Sequence, residues 1–126
     1  RTAAPSRQPG LVLLVEDNLD LRSSMRDMLT ELGHSVVEAS SVAEAMALWD
    51  GLPDIALILS DLVLQGEETG LDLGGHAQRT QTPVHFMTSL PPSHDLYQQA
   101  TQIAPVIPKP FGAEDLSRFL NSKDVP

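Results

Sequence analysis

Apolar residues fall into two alternating patterns along this chain. Leu11–Val15 (LVLLV) and Ile55–Leu59 (IALIL) are uninterrupted apolar runs, the pattern of strands buried on both faces. His34–Ala39, containing Val36 and Val37, then Val84–Met87 and the short Val106–Ile107 complete five strand segments. Between them the spacing turns helical. Leu21, Met25, Met28, Leu29 and Leu32 recur every three or four residues, and Gly33 follows as a stop. Val42, Ala45, Met46 and Trp49 form a second stripe, which makes Trp49 a core residue. Ser41 with Glu44 reads as a capping box, and Gly51 and Pro53 as the end. A third helix is expected from about Leu71. Gly74 and Gly75 weaken it by about 1 kcal/mol each relative to Ala, so local mobility is expected there. Leu96, Ala100 and Ile103 mark a fourth helix, and Leu116, Phe119 and Leu120 a fifth.

Strands alternating with helices imply an α/β fold: a doubly wound parallel sheet with helices on both faces. Right-handed crossovers leave few topologies. The expected strand order is 2-1-3-4-5, one of the two orders common to doubly wound sheets in general. Residues 1–10 (RTAAPSRQPG) lack periodicity and read as linker, residues 11–122 as one domain, and residues 123–126 as a tail. A length of 126 residues suits one domain with one core. The net charge of −9 disfavours nucleic acid and anionic membrane surfaces as partners. The absence of cysteine excludes disulfides and thiolate zinc sites. No apolar run approaches the ~20 residues of a membrane span, and no signal peptide is visible.

In a doubly wound sheet, sites form beyond the carboxyl ends of the strands. Glu16 and Asp17 follow the first strand, Asp61 the third, Thr88 and Ser89 the fourth, and Lys109 and Pro110 the fifth. Three carboxylates in one crevice repel. Two unit charges ~4 Å apart cost roughly 4 kcal/mol at an effective dielectric of 20. Lys109 offsets part of that. A hard divalent cation such as Mg²⁺ would offset more. An ion beside a carboxylate and a lysine suits phosphoryl transfer, with Asp61 attacking phosphorus to form an acyl phosphate. Each piece alone has a plainer reading. Glu16 and Asp17 would serve as acids at a helix start, Asp61 as a solvated loop acid, Thr88 and Ser89 as a cap, and Lys109-Pro110 as a surface turn.

The ordered set Val15-Glu16-Asp17-Asn18, Ser60-Asp61, Thr88-Ser89 and Lys109-Pro110-Phe111 resembles the receiver domain of response regulators in two-component signalling, over roughly Leu11 to Leu120. The resemblance implies a flavodoxin-like fold and assigns roles. Asp61 matches the phosphoacceptor. Asp17, Asp61 and the backbone carbonyl of Val63 match the Mg²⁺ ligands, with Glu16 acting through water. Thr88 and Lys109 match the residues that contact the phosphoryl group. Pro110 matches a proline that follows a cis peptide bond. Implied partners are a histidine kinase domain as phosphodonor and a histidine phosphotransfer protein, in the cytoplasm. The loop from Leu62 to Gly70 resembles that of receivers fused behind hybrid sensor histidine kinases, although Gln65 stands where a proline is common. With a start at Arg1, the expectation is the carboxyl-terminal receiver of a longer hybrid kinase. The alternatives are a stand-alone single-domain regulator and a non-phosphorylated interaction module. The module reading would want one acid or the lysine missing, and none is.

One departure concerns output. Val106 stands where the family usually has an aromatic ring that turns inward. Valine has no ring and a stiff χ1, so any output is expected to run through the loop after the fourth strand and the fourth helix. An aspartate phosphatase would carry a second acid where Val63 stands, and no phosphate-cradling loop for a flavin follows the first strand. The histidines His34, His76, His85 and His94 show no metal spacing and read as surface or satisfied residues, with His85 hydrogen-bonded in the core.

Overall fold

The computed structural model describes residues 10–52 and 54–121. Residues 1–9 of the expected linker, the tail at 123–126 and Pro53 lie outside the described residues. Five strands, β1 (Leu11–Val15), β2 (Ser35–Ala39), β3 (Ile55–Asp61), β4 (Val84–Thr88) and β5 (Val106–Pro108), alternate with five helices, α1 (Leu19–Glu31), α2 (Val42–Gly51), α3 (Gly70–Thr80), α4 (Asp95–Thr101) and α5 (Ala113–Leu120). The sheet is parallel throughout, in the order β2-β1-β3-β4-β5, as expected.

Strand alternation divides the core in two. Leu13, Val15, Ile58 and Phe86 point to one face, where α2, α3 and α4 supply Val42, Ala45, Trp49, Leu73, Ala77 and Ala100. Val12, Leu14, Leu59 and Met87 point to the other, where α1 and α5 supply Met25, Leu29 and Leu116. Both faces of the central strands are therefore dry, which is why their sequences carry no polar alternation. Trp49 is core, its ring edge-on to His76 at 4.4 Å.

Several local expectations need correction. β3 runs two residues past Leu59, so Ser60 and Asp61 belong to the strand, with Asp61 in register with Met87. Leu21 is 43% exposed and not part of the buried stripe of α1. Ser41 caps α2 by accepting from Glu44 N–H, but the Glu44 carboxylate returns to the Ser40 N–H and hydroxyl, not to Ser41. α4 ends at Thr101, and Ile103 packs on the core from beyond it. His85 is not the hydrogen-bonded residue expected. Both its ring nitrogens are buried without a partner, and its ring stands edge-on to Phe119 at 4.9 Å.

α3 forms across eleven residues despite its glycines. Its start carries a reciprocal cap absent from the sequence reading. Thr69 Oγ1 accepts from Leu71 N–H, and Asp72 accepts from Thr69 N–H at 2.7 Å. The two glycines then differ. A Cβ on Gly74 would lie 2.8 Å from Phe86 Cζ and 3.2 Å from Ile103 Cγ2, so Gly74 lets the helix sit close on β4. A Cβ on Gly75 would meet only the end of the Arg79 side chain at 3.8 Å.

Gly74→Ala is therefore expected to lower stability by about 1–3 kcal/mol through overpacking, and Gly75→Ala to raise it by about 0.5–1 kcal/mol through helix propensity. Urea unfolding of the two variants checks the opposite signs. His85 generates a pH prediction. Burial holds its pKa below the usual 6.5. The unfolded chain then binds the proton more readily, so stability is full above pH ~6.5 and falls as pH drops below it. His85→Leu is expected to flatten that decline in thermal midpoints measured between pH 7.5 and 5.

Candidate functional site

All the singled-out polar residues stand at the carboxyl edge of the sheet. Glu16 and Asp17 follow β1, Asp61 and Thr88 are the last residues of β3 and β4, and Lys109 comes directly after β5. Strand pairing fixes this arrangement. Val15 is in register with Ser60, Asp61 with Met87, and Thr88 with Pro108. Adjacent strands lie about 4.8 Å apart, so side chains leaving neighbouring strand ends meet.

Carboxylate oxygens of Glu16, Asp17 and Asp61 lie within 4.8 Å of one another. Lys109 Nζ donates to Asp61 Oδ2 at 2.8 Å and to Glu16 Oε1 at 3.2 Å. Glu16 is 1% and Asp61 6% exposed, so these charges meet away from bulk water. One ammonium faces three carboxylates, and the set keeps surplus negative charge. Burial, backed by the charge of Asp61, holds the Glu16 carboxyl above its usual value against the opposing pull of Asn18 N–H and Lys109. Burial would lower the Lys109 ammonium, but the bonds and charges of Asp61 and Glu16 outweigh it and hold Lys109 above its usual value.

The loops are tied to the acids. Asn18 N–H donates to Glu16 Oε2 at 3.1 Å, and the Asn18 side chain caps α1 by accepting from Leu21 N–H. Val63 N–H donates to Asp61 Oδ1 at 3.2 Å, and Gln65 N–H to Asp17 Oδ2 at 3.1 Å. On the opposite rim, Thr88 Oγ1 accepts from Leu90 N–H, and the Thr88 carbonyl accepts from Lys109 N–H at 2.8 Å. Among the described residues Thr88 makes no hydrogen bond to the acids or to the Lys109 side chain. The Lys109–Pro110 peptide is cis, as expected.

The donor set is chemically hard. Three carboxylate oxygens with no sulfur or imidazole fit Mg²⁺ and not a softer ion. Asp17, Asp61 and Glu16 are the residues that could hold such an ion, and Val63 lies two residues beyond Asp61, 49% exposed. None of the four histidines belongs to this cluster. His94 instead accepts from Leu96 N–H to cap α4, a role that no sequence motif marks.

Two further features escape the sequence. Arg22 of α1 reaches the Glu16 carbonyl and Glu38 of β2. No local motif marks that contact, because Glu38 lies sixteen residues away in the chain. Gly70, in sequence, is only the end of a polar loop. A Cβ there would lie 2.5 Å from the Asp61 carbonyl oxygen, so only glycine lets the loop return against the end of β3. Beside Lys109, a groove of about 400 Å³ opens between α1 and the β5–α5 loop, lined among others by Leu21, Met25, Ser89 and Phe111.

Comparison with known proteins agrees with this geometry. The profile of the response regulator receiver domain matches residues 12–121. No curated protein matches the chain. Among solved structures, the signal receiver domain of a modulated diguanylate cyclase from Desulfovibrio desulfuricans is 28% identical, with a TM-score of 0.78 and 90% of each chain covered. The chemotaxis protein CheY4 of Vibrio cholerae is 25% identical, with a TM-score of 0.75, covering 89% of this chain and 96% of its own. A receiver domain protein from Clostridium thermocellum shares the fold at 21% identity and a TM-score of 0.78, covering 90% and 92%. With its strand order and its acid–lysine rim, the chain belongs to the response regulator receiver domain family of two-component signalling.

Proposed function

We propose that Asp61 accepts a phosphoryl group from a phosphohistidine, with Mg²⁺ as the required ion, and relays it or holds it as a switch. The observation that carries this reading is the bridge of Lys109 Nζ between Asp61 and Glu16, with Asp17 in the same oxygen cluster. Asp61 is the acid at the end of a central strand, held by one ammonium and one backbone N–H. A carboxylate oxygen of Asp61 attacks phosphorus. The P–N bond to the donor imidazole breaks, nitrogen keeps the electron pair, and an acyl phosphate forms. Lys109 then pairs with a phosphoryl oxygen. Thr88, across the rim, donates its hydroxyl to another. Asp17, Asp61 and the Val63 carbonyl, with Glu16 through water, would hold Mg²⁺, which would supply charge neutralisation for the phosphoryl oxygens.

The donor is read as a histidine kinase domain, and an onward acceptor as a histidine phosphotransfer protein. The groove beside Lys109 supports a helical donor. Leu21, Met25 and Phe111 line it, and Leu19 at the start of α1 and Val63 beyond β3 are 63% and 49% exposed. Apolar side chains at helical spacing would fill such a groove while presenting a phosphohistidine to Asp61. No described helix is long and apolar enough to cross a membrane, and the proposed compartment is the cytoplasm. Placement as the carboxyl-terminal receiver of a hybrid sensor kinase rests on the likeness of the loop at 62–70.

Incubation with acetyl phosphate and Mg²⁺ is expected to add one phosphoryl group by mass spectrometry. Asp61→Asn or a chelator should abolish it, and Lys109→Gln should slow it at least tenfold, about 1.4 kcal/mol on the barrier. No adduct with any phosphodonor would leave the interaction-module reading in its place. For output, beryllofluoride as phosphoryl mimic is expected to move the loop after β4 and α4 more than Val106. A larger displacement at Val106 in the bound structure would contradict this.

A further inference from the structure

The acids of the rim are only as well placed as the turn that carries them. Asp17 has no strand of its own, since β1 ends at Val15. On the β1 side, Glu16 N–H donates to the Ala39 carbonyl at 3.0 Å. The Glu16 carbonyl, where the chain turns toward α1, accepts from Arg22 Nη1 at 2.9 Å. Arg22 is itself held. Its Nε donates to Glu38 Oε1 at 3.0 Å, and the other oxygen of that carboxylate accepts from Arg26 Nη1 at 3.2 Å. The Arg22 side chain is 16% and Glu38 28% exposed, so the contact is largely sheltered.

The peptide between Glu16 and Asp17 is planar. Fixing the Glu16 carbonyl fixes that plane, and with it the positions of the Asp17 N–H and Cα from which the side chain leaves. A guanidinium is a rigid fork whose donors address two acceptors at once, and a lysine ammonium is not. We infer that Arg22, clamped by Glu38, is a positioning residue that sets Asp17 for metal binding at the rim. It touches neither Asp17 nor the reacting atoms. It acts through the Glu16 carbonyl. The metal-binding part of this inference rests on the proposed Mg²⁺ role, and the backbone part does not.

Charge and geometry predict opposite signs here. A guanidinium near a cation site repels the cation, so losing it for charge reasons alone would tighten Mg²⁺ binding. Losing a positioning contact loosens it, and outer partners of metal ligands typically matter by 10–100-fold. The test compares Arg22→Met, Arg22→Lys and Arg26→Gln. Arg26→Gln removes a charge from the same ion cluster without touching Glu16. Mg²⁺ affinity is measured by calorimetry. Amide exchange is followed at Asn18 and Gln65, whose N–H groups bond Glu16 Oε2 and Asp17 Oδ2, with Leu13 and Ile58 in the sheet as references.

Both Arg22 variants are expected to weaken Mg²⁺ roughly tenfold and to speed exchange at Asn18 and Gln65, leaving Leu13 and Ile58 unchanged. Arg26→Gln is expected to stay within about twofold of the parent, the scale of a surface ion pair. Mg²⁺ binding as tight as or tighter than the parent in Arg22→Met overturns the inference. So does exchange at Asn18 and Gln65 no faster than in Arg26→Gln, or faster equally at Leu13 and Ile58. If the parent chain binds no Mg²⁺, the proposed ion fails and the exchange comparison alone decides the role of Arg22.

Discussion

Like charge held at one rim with a single ammonium is the constraint on which the rest of this structure depends. Glu16 and Asp61 are buried at the carboxyl edge, and each accepts from Lys109 Nζ. An unpaired buried carboxylate is costly, and removing one partner of such a group leaves the others exposed to that cost. Backbone N–H groups add to this, from Asn18 to Glu16 Oε2, from Val63 to Asp61 Oδ1 and from Gln65 to Asp17 Oδ2. The site is thus polar, largely buried and braced from the β1–α1, β3–α3 and β5–α5 loops, with more negative charge than its own cation balances.

The fold supplies the bracing readily because the apolar positions do two things. They seal both faces of the sheet, and they bring the ends of β1, β3, β4 and β5 to a common edge. The same pairing that buries Ile58, Leu59, Phe86 and Met87 puts Asp61 one strand from Thr88 and one from Glu16. Packing and chemistry are therefore coupled through register. A slip of one residue in β3 would turn Asp61 to the opposite face and break the Lys109 bridge.

Much of this is legible in the chain itself. Runs such as Leu11–Val15 announce buried strands because a parallel sheet has no wet face. Strand ends then locate Glu16, Asp17, Asp61, Thr88 and Lys109, since the edge of a doubly wound sheet follows from topology. What escapes depends on distance in space. Arg22 finds Glu38 across two elements, and nothing near either residue marks the pair. Gly74 looks like a defect when propensity alone is visible, whereas its missing side chain is where Phe86 fits. A buried imidazole is expected to have a hydrogen-bond partner, yet the His85 ring meets Phe119 instead. The polarity of Ser60 and Asp61 suggests an earlier end to β3, although the ladder continues through them.

The loop between β3 and α3 has fixed ends. Leu62 N–H donates to the Met87 carbonyl, Gly70 N–H returns to the Leu62 carbonyl at 3.0 Å, and Gly70 abuts the Asp61 backbone. The chain between these two points works like slack cord between posts. Its outer stretch at Gly66, Glu67 and Glu68 can therefore lengthen or shorten at little entropic expense without displacing the acceptor, so the tether and the chemistry are set by different residues of one loop.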